Sequence, residues 1–123
     1  MRIILDTGVL FHPDLLAQLS GRPETIVLPV VAYAERIRQY ARNGVRPLNL
    51  RIELAACDIE IEPFFIEEAD RYAPTQMDDA HWNAHARDVM IAGHVRSTDV
   101  LWTTNPKDFI AIGIPECQIY SID

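Results

Sequence analysis

The chain has 123 residues, of which 49% are hydrophobic and 24% charged, a balance that belongs to a globular domain with a real core rather than to a disordered or fibrous chain. No apolar run approaches a bilayer span, and Asp6 and Thr7 interrupt the first apolar run too early for a signal peptide. Cys57 and Cys117 share no metal-type spacing and read as reduced thiols of a cytoplasmic protein. The net charge of −7 argues against nucleic acid as a partner of the whole surface. Charge is unevenly placed, however: five arginines and no acid lie between Arg36 and Arg51, and nine acids with only Arg71 as a base lie between Glu53 and Asp79. Such runs are commonly solvated helix faces; the sharper reading is a phosphate-binding patch on an acidic body.

In chain order, residues 2–5 predict a buried strand and 13–20 a short helix. Thr25 to Leu28 is a second strand, and Pro29 suits the first turn of a helix. Val30, Tyr33, Ala34, Ile37, Tyr40 and Ala41 recur at helical spacing until Asn43 and Gly44 stop the pattern. A helix is expected at 48–57, an edge-type strand with one wet face at 58–62, and a helix at 64–72. A long helical stretch falls within 78–96, a buried strand at 99–103, a short helix at 106–110 and a last strand at 117–122. With no linker, repeat or low-complexity tract, residues 1–123 read as one domain, and strands alternating with helices imply a parallel sheet covered on both faces.

Four acids stand out by position. Asp6 ends the first strand, Glu35 lies about two turns into the helix after the second, Asp88 sits among apolar helix residues, and Asp108 follows the strand "VLWT". Singly, each has an ordinary reading: a cap at Asp6, a surface ion pair at Glu35, helix-terminus acids at Asp88 and Asp108. In a parallel sheet all four can meet at the carboxyl edge. There each pair at 4 Å repels by about 4 kcal/mol at an effective dielectric near 20, so the cluster must take up protons or hold a cation, and oxygen ligands suit Mg²⁺ or Mn²⁺.

The stretches "IILDTGVL", "VAYAERIR", "RDVMIAGHV" and "LWTTNPKDF", in this order over nearly the whole chain, resemble the PIN-domain family, and within it the VapC-type toxin ribonucleases. The resemblance implies a three-layer α/β/α sandwich around a mainly parallel sheet. It implies an Mg²⁺- or Mn²⁺-dependent ribonuclease, a small antitoxin as partner, a homodimer, RNA as substrate and no membrane. Asp6, Glu35, Asp88 and Asp108 match the catalytic and metal-holding acids, with Asp6 and Asp88 the surest ligands, and Thr104 and Asn105 match the polar residues beside the fourth acid. Arg36, Arg38, Arg42 and Arg46 are the candidates to grip RNA phosphates. Two positions depart from the pattern: Gly8 stands where the family carries Asn or Ser, and Asn105 where some members carry another acid. The alternatives are a housekeeping RNA-processing nuclease and a catalytically weak PIN-like binding module.

His81, His85 and Asp88 share one face of an unbroken helix, a metal-like spacing without a third nitrogen; His12, His81, His85 and His94 are read as structural or surface residues. Trp82 and Trp102 are read as packing residues rather than base-stacking platforms.

Overall fold

The computed structural model describes residues 1–75 and 77–122. Five strands form its sheet: β1 (Arg2–Leu5), β2 (Thr25–Pro29), β3 (Ile59–Glu62), β4 (Val100–Thr103) and β5 (Ile119–Ser121). They lie in the order β3-β2-β1-β4-β5, and all four pairings are parallel. Six helices connect them: α1 (Leu15–Leu19), α2 (Val30–Arg42), α3 (Pro47–Ala56), α4 (Ile66–Tyr72), α5 (Asp79–Ala92) and α6 (Pro106–Ile112). From β1 to β3 the chain moves one way across the sheet, and from β3 through β4 to β5 it moves the other. Right-handed crossovers therefore put α1, α2 and α3 on one face and α4, α5 and α6 on the opposite one. Within each face α2 touches α3, and α5 touches both α4 and α6; α2 and α5 also meet, where Glu35 faces Arg87. The result is the expected α/β/α sandwich.

Both faces of the central strands are covered, so these strands carry apolar runs rather than alternation. Ile3, Ile4, Leu5, Val27, Leu28, Leu101 and Trp102 are all buried. The edge strand β3 keeps its predicted wet side, with Ile59 buried and Glu60 exposed. Trp102 packs against Tyr120 at a 50° tilt, with 4.7 Å between ring centres. Trp82 packs less completely than its type predicts and stays 37% exposed.

Several boundaries differ from the sequence reading. The expected helix at 13–20 is shorter, and a 3-10 turn at Thr7–Phe11 precedes it. The cause is Asp6, whose carboxylate accepts the Thr7 amide at 2.8 Å and starts the turn, while His12 ahead of Pro13 is extended. Pro29 ends β2, opposite Glu62, rather than entering the helix. The helix expected from 64 begins at Ile66, because Phe65 is extended. α5 stops at Ala92 before Gly93. α2 stops where predicted, with Asn43 as its cap and Gly44 at φ +73°, a left-handed conformation that glycine adopts without a Cβ penalty. Among the described residues, no helix is long and apolar enough to cross a membrane. Cys57 is half-buried, Cys117 exposed, and both are free thiols.

Candidate functional site

The strand order reverses between β1 and β4, and open α/β sheets hold their ligands outside the carboxyl ends of the strands at such a point. Asp6 ends β1 there. Its Oδ1 accepts the Thr7 amide and its Oδ2 accepts the hydroxyl of Thr103, the last residue of β4, at 2.9 Å. One side chain thus caps a turn and bridges the two strands at the crevice.

Glu35 comes to Asp6 through Thr7, whose hydroxyl donates to Glu35 Oε1 at 3.1 Å. The other Glu35 oxygen lies 3.6 Å from the Arg87 guanidinium. Asp88 and Asp108 meet at His85: Nδ1 of that imidazole is 3.6 Å from Asp88 Oδ2 and 3.9 Å from Asp108 Oδ2. One ligand atom each of His85, Asp88 and Asp108 falls within 4.8 Å of the others. Asn105 donates its amide to Asp108, which ties the loop after β4 to the first turn of α6. Its own backbone N–H is held by Thr103 Oγ1 at 2.9 Å.

The electrostatics link the two pairs. Burial pushes the Asp6 carboxyl up to about 6, despite the lowering effect of its bonds from Thr103 and Thr7; the charges of Asp88 and Glu35 add to the rise. Asp88 is also raised, first by burial, with Asp108 and Glu35 as repelling neighbours and His85 working against them. Asp6 thus feels the charges of Asp88 and Glu35, and Asp88 those of Glu35 and Asp108; Asp88 and Asp108, with His85, come within ligand-sharing distance, and Glu35 reaches Asp6 through Thr7. A donor set of several carboxylates whose protonation is already favoured fits an oxygen-seeking divalent cation such as Mg²⁺ or Mn²⁺. A depression of about 300 Å³ opens beside Asp108 and His85, lined also by Thr75, Met77 and His81.

Gly8 has a local explanation. A Cβ there would stand 2.7 Å from the Thr104 hydroxyl oxygen, so the glycine leaves room for that hydroxyl beside the Asp6 turn.

The arginine block is spread along the fold. The Arg36 guanidinium carbon sits over the Phe11 ring at 3.9 Å and the Tyr40 ring at 5.0 Å, and its Nη1 donates to Gln39, so much of the group is engaged locally. Arg38, Arg42 and Arg46 are exposed. Arg42 ends α2, seven residues or about 10 Å along the axis from Glu35. Two residues given no site role by their sequence context, His85 and Arg87, touch the acids directly. Their only signal was proximity in sequence to Asp88, one at helical spacing and one adjacent. His81 instead donates its backbone N–H to Asp78 Oδ1, the cap of its own helix, at 2.8 Å, with its ring Nδ1 at the same distance.

No protein-family model matches the chain, and no curated protein matches it. Among solved structures, the chain is similar to a chain of a toxin–antitoxin complex from Klebsiella pneumoniae. The two share 19% sequence identity with a TM-score of 0.69, over 98% of this chain and 100% of the other. This likeness shows that the α/β/α fold is shared.

Proposed function

We propose that this chain is a divalent-metal-dependent endoribonuclease of the PIN type, acting as the toxin of a type II toxin–antitoxin pair. The observation that supports the reading is the chain of acids at the point where the strand order reverses: Asp6 raised by burial and by the charges of Asp88 and Glu35, and Asp88 raised by burial and by those of Asp108 and Glu35. The fold shared with a chain of a toxin–antitoxin complex supports the toxin role and an antitoxin partner.

Bound Mg²⁺ or Mn²⁺ supplies phosphate neutralisation and a water of lowered pKa. Asp6 and Asp88 would hold the ion, both being partly withdrawn from solvent and held in place, Asp6 by Thr7 and Thr103 and Asp88 beside His85. Glu35, whose Oε1 accepts the Thr7 hydroxyl and whose Oε2 lies 3.6 Å from Arg87, would use Oε2 to orient the attacking water and take its proton once Arg87 turns to the substrate phosphate. Asp108, fixed by Asn105, is placed beside Asp88 as the outer acid. Arg87, against Glu35, is a cation beside the acids that would meet a substrate phosphate, and the exposed Arg38 of α2 is a second candidate.

Cleavage of cellular RNA by the purified chain with Mg²⁺ or Mn²⁺, and its loss in Asp88→Asn, tests the enzyme. Co-purification with the product of a neighbouring short reading frame, and inhibition by it, tests the toxin role; cleavage without such a partner supports the housekeeping nuclease. Retention of RNA binding with no metal-dependent cleavage leaves the binding module.

A further inference from the structure

Outside the acid quartet, three other side chains of ligand type converge. Glu62 ends β3, Glu68 lies in the first turn of α4 and His94 follows α5, and one donor atom from each lies within 4.8 Å of the others. His94 is 0% exposed and Glu68 5%. His94 Nδ1 faces Glu62 Oε2 at 2.6 Å, while its Nε2 is buried with no hydrogen-bond partner among the described residues. Glu68 Oε2 accepts the Phe65 amide at 2.9 Å. Among the described residues no cation stands within 4 Å of the Glu68 carboxylate; Arg71, one turn on, donates instead to the Gly93 carbonyl. The Glu68 carboxylate is thus buried without a cation, beside an imidazole that meets Glu62 through Nδ1 while its Nε2, on the other side of the ring, is left unpartnered.

The backbone is shaped to make this meeting. A Cβ at Gly93 would stand 2.1 Å from the Glu68 carbonyl oxygen, so only glycine lets α4 come this close to the end of α5, next to His94. Both carboxylates are also held from behind. Arg2 grips Glu62 Oε1 at 2.6 Å, with Arg96 3.7 Å from the same oxygen, which turns Oε2 onto His94 Nδ1, and the Phe65 amide grips Glu68 Oε2. Ligands oriented by outer hydrogen bonds are the mark of a built metal site.

We propose that Glu62, Glu68 and His94 form a second divalent-cation site, of zinc class, that staples β3, α4 and the segment leading into β4. One imidazole and two carboxylates are a ligand set that Zn²⁺ accepts at about 2.0–2.2 Å, whereas Mg²⁺ selects oxygen alone. The site is separate from the acid quartet and holds whether or not the chain cleaves RNA.

The test uses the full chain carrying His85→Gln and Asp88→Asn, which disables the half-buried His85–Asp88–Asp108 cluster. After chelation and dialysis against zinc, elemental analysis should find one zinc per chain, with magnesium failing to compete. Adding Glu68→Gln should weaken zinc binding by about 10–100-fold. Zinc below stoichiometry in the parent, or equal affinity in Glu68→Gln, overturns the proposal. Where Glu68→Gln does not fold, ¹⁵N NMR of the parent decides: a zinc-induced shift of a His94 ring nitrogen supports the site, and an unmoved His94 overturns it.

Discussion

Thr103 donates its hydroxyl to Asp6 Oδ2 at 2.9 Å while its oxygen accepts the Asn105 amide at 2.9 Å. A single fully buried threonine thus holds the acid at the end of β1 and the loop that leads to Asp108. Thr103→Val keeps the shape and removes both bonds. It should destabilise the metal-free protein by about 1–3 kcal/mol. The loss should be larger at pH 8 than at pH 5, because Asp6 is ionised at the higher pH and then lacks a donor. Urea melts of the two proteins at both pH values check this; an equal loss at both would place the cost in the Asn105 loop alone.

Asp6 itself should behave as a destabilising acid. Its folded carboxyl, at about 6, lies above the unfolded value of 3.8, so the native state binds the extra proton between those limits. The stability it contributes is present below about pH 4 and lost as pH rises through about 6. The shift corresponds to roughly 3 kcal/mol at neutral pH, offset in Asp6→Asn by one weakened hydrogen bond of about 1 kcal/mol. Metal-free Asp6→Asn should therefore be more stable than the native chain by about 1–2 kcal/mol at pH 8, with the advantage fading towards pH 4. A variant less stable at pH 8 would mean that Asp6 acts chiefly as a cap.

Divalent metal should reverse that order. An ion that binds the folded quartet and not the unfolded chain stabilises by about 2.7 kcal/mol at a hundredfold excess over Kd. The rise in Tm should be several degrees for the native chain, smaller in Asp88→Asn, and smaller in every case below pH 6, where protons compete for Asp6. Melting curves in Mg²⁺ and Mn²⁺ at fixed ionic strength provide the measurement. A Tm unmoved at millimolar metal would leave only an ion that arrives with the RNA phosphate.

The exposed arginines should be visible in the salt dependence of RNA binding. Each single-strand phosphate contact contributes about 0.7 to the log–log slope. Replacing Arg38, Arg42 and Arg46 with Gln should lower the slope by about 2 if all three touch phosphate, and by less than 1 if only Arg38, nearest the acids, does so. Binding titrations with uncleavable RNA between low and moderate salt distinguish these outcomes, and an unchanged slope would make the block a solvated face or an antitoxin contact.

Gly93 should tolerate no side chain. With the Glu68 carbonyl 2.1 Å from a Cβ at that position, Gly93→Ala must push α4 away from α5. The expected loss is at the upper end of the 1–3 kcal/mol typical of overpacking, or beyond it, measured by thermal or urea unfolding. A loss under about 0.5 kcal/mol would show that the two segments separate freely.

The order of strands and helices was legible because each depends on local periodicity. Unbroken apolar runs of β-branched residues mark strands buried on both faces, and Asn43-Gly44 marks a helix end wherever it occurs. Parallel pairing followed from the alternation of strand and helix, and with it the edge where Asp6 and Asp108 had to emerge. Boundaries failed where a single side chain rewrote the local rule, as Asp6 did by starting a turn six residues ahead of the expected helix.

What the sequence determined by itself is therefore the layered parallel fold and the acids that reach its carboxyl edge, since strand ends and helical faces are set by spacing along one element. Which neighbours those acids meet was decided only by tertiary structure. His85 against Asp88 and Asp108, Arg87 against Glu35, and Glu62 and Glu68 around the buried His94 are contacts between side chains, most of them on separate elements. They depend on strand register, helix rotation and the close approach that Gly93 permits, none of which any local pattern encodes.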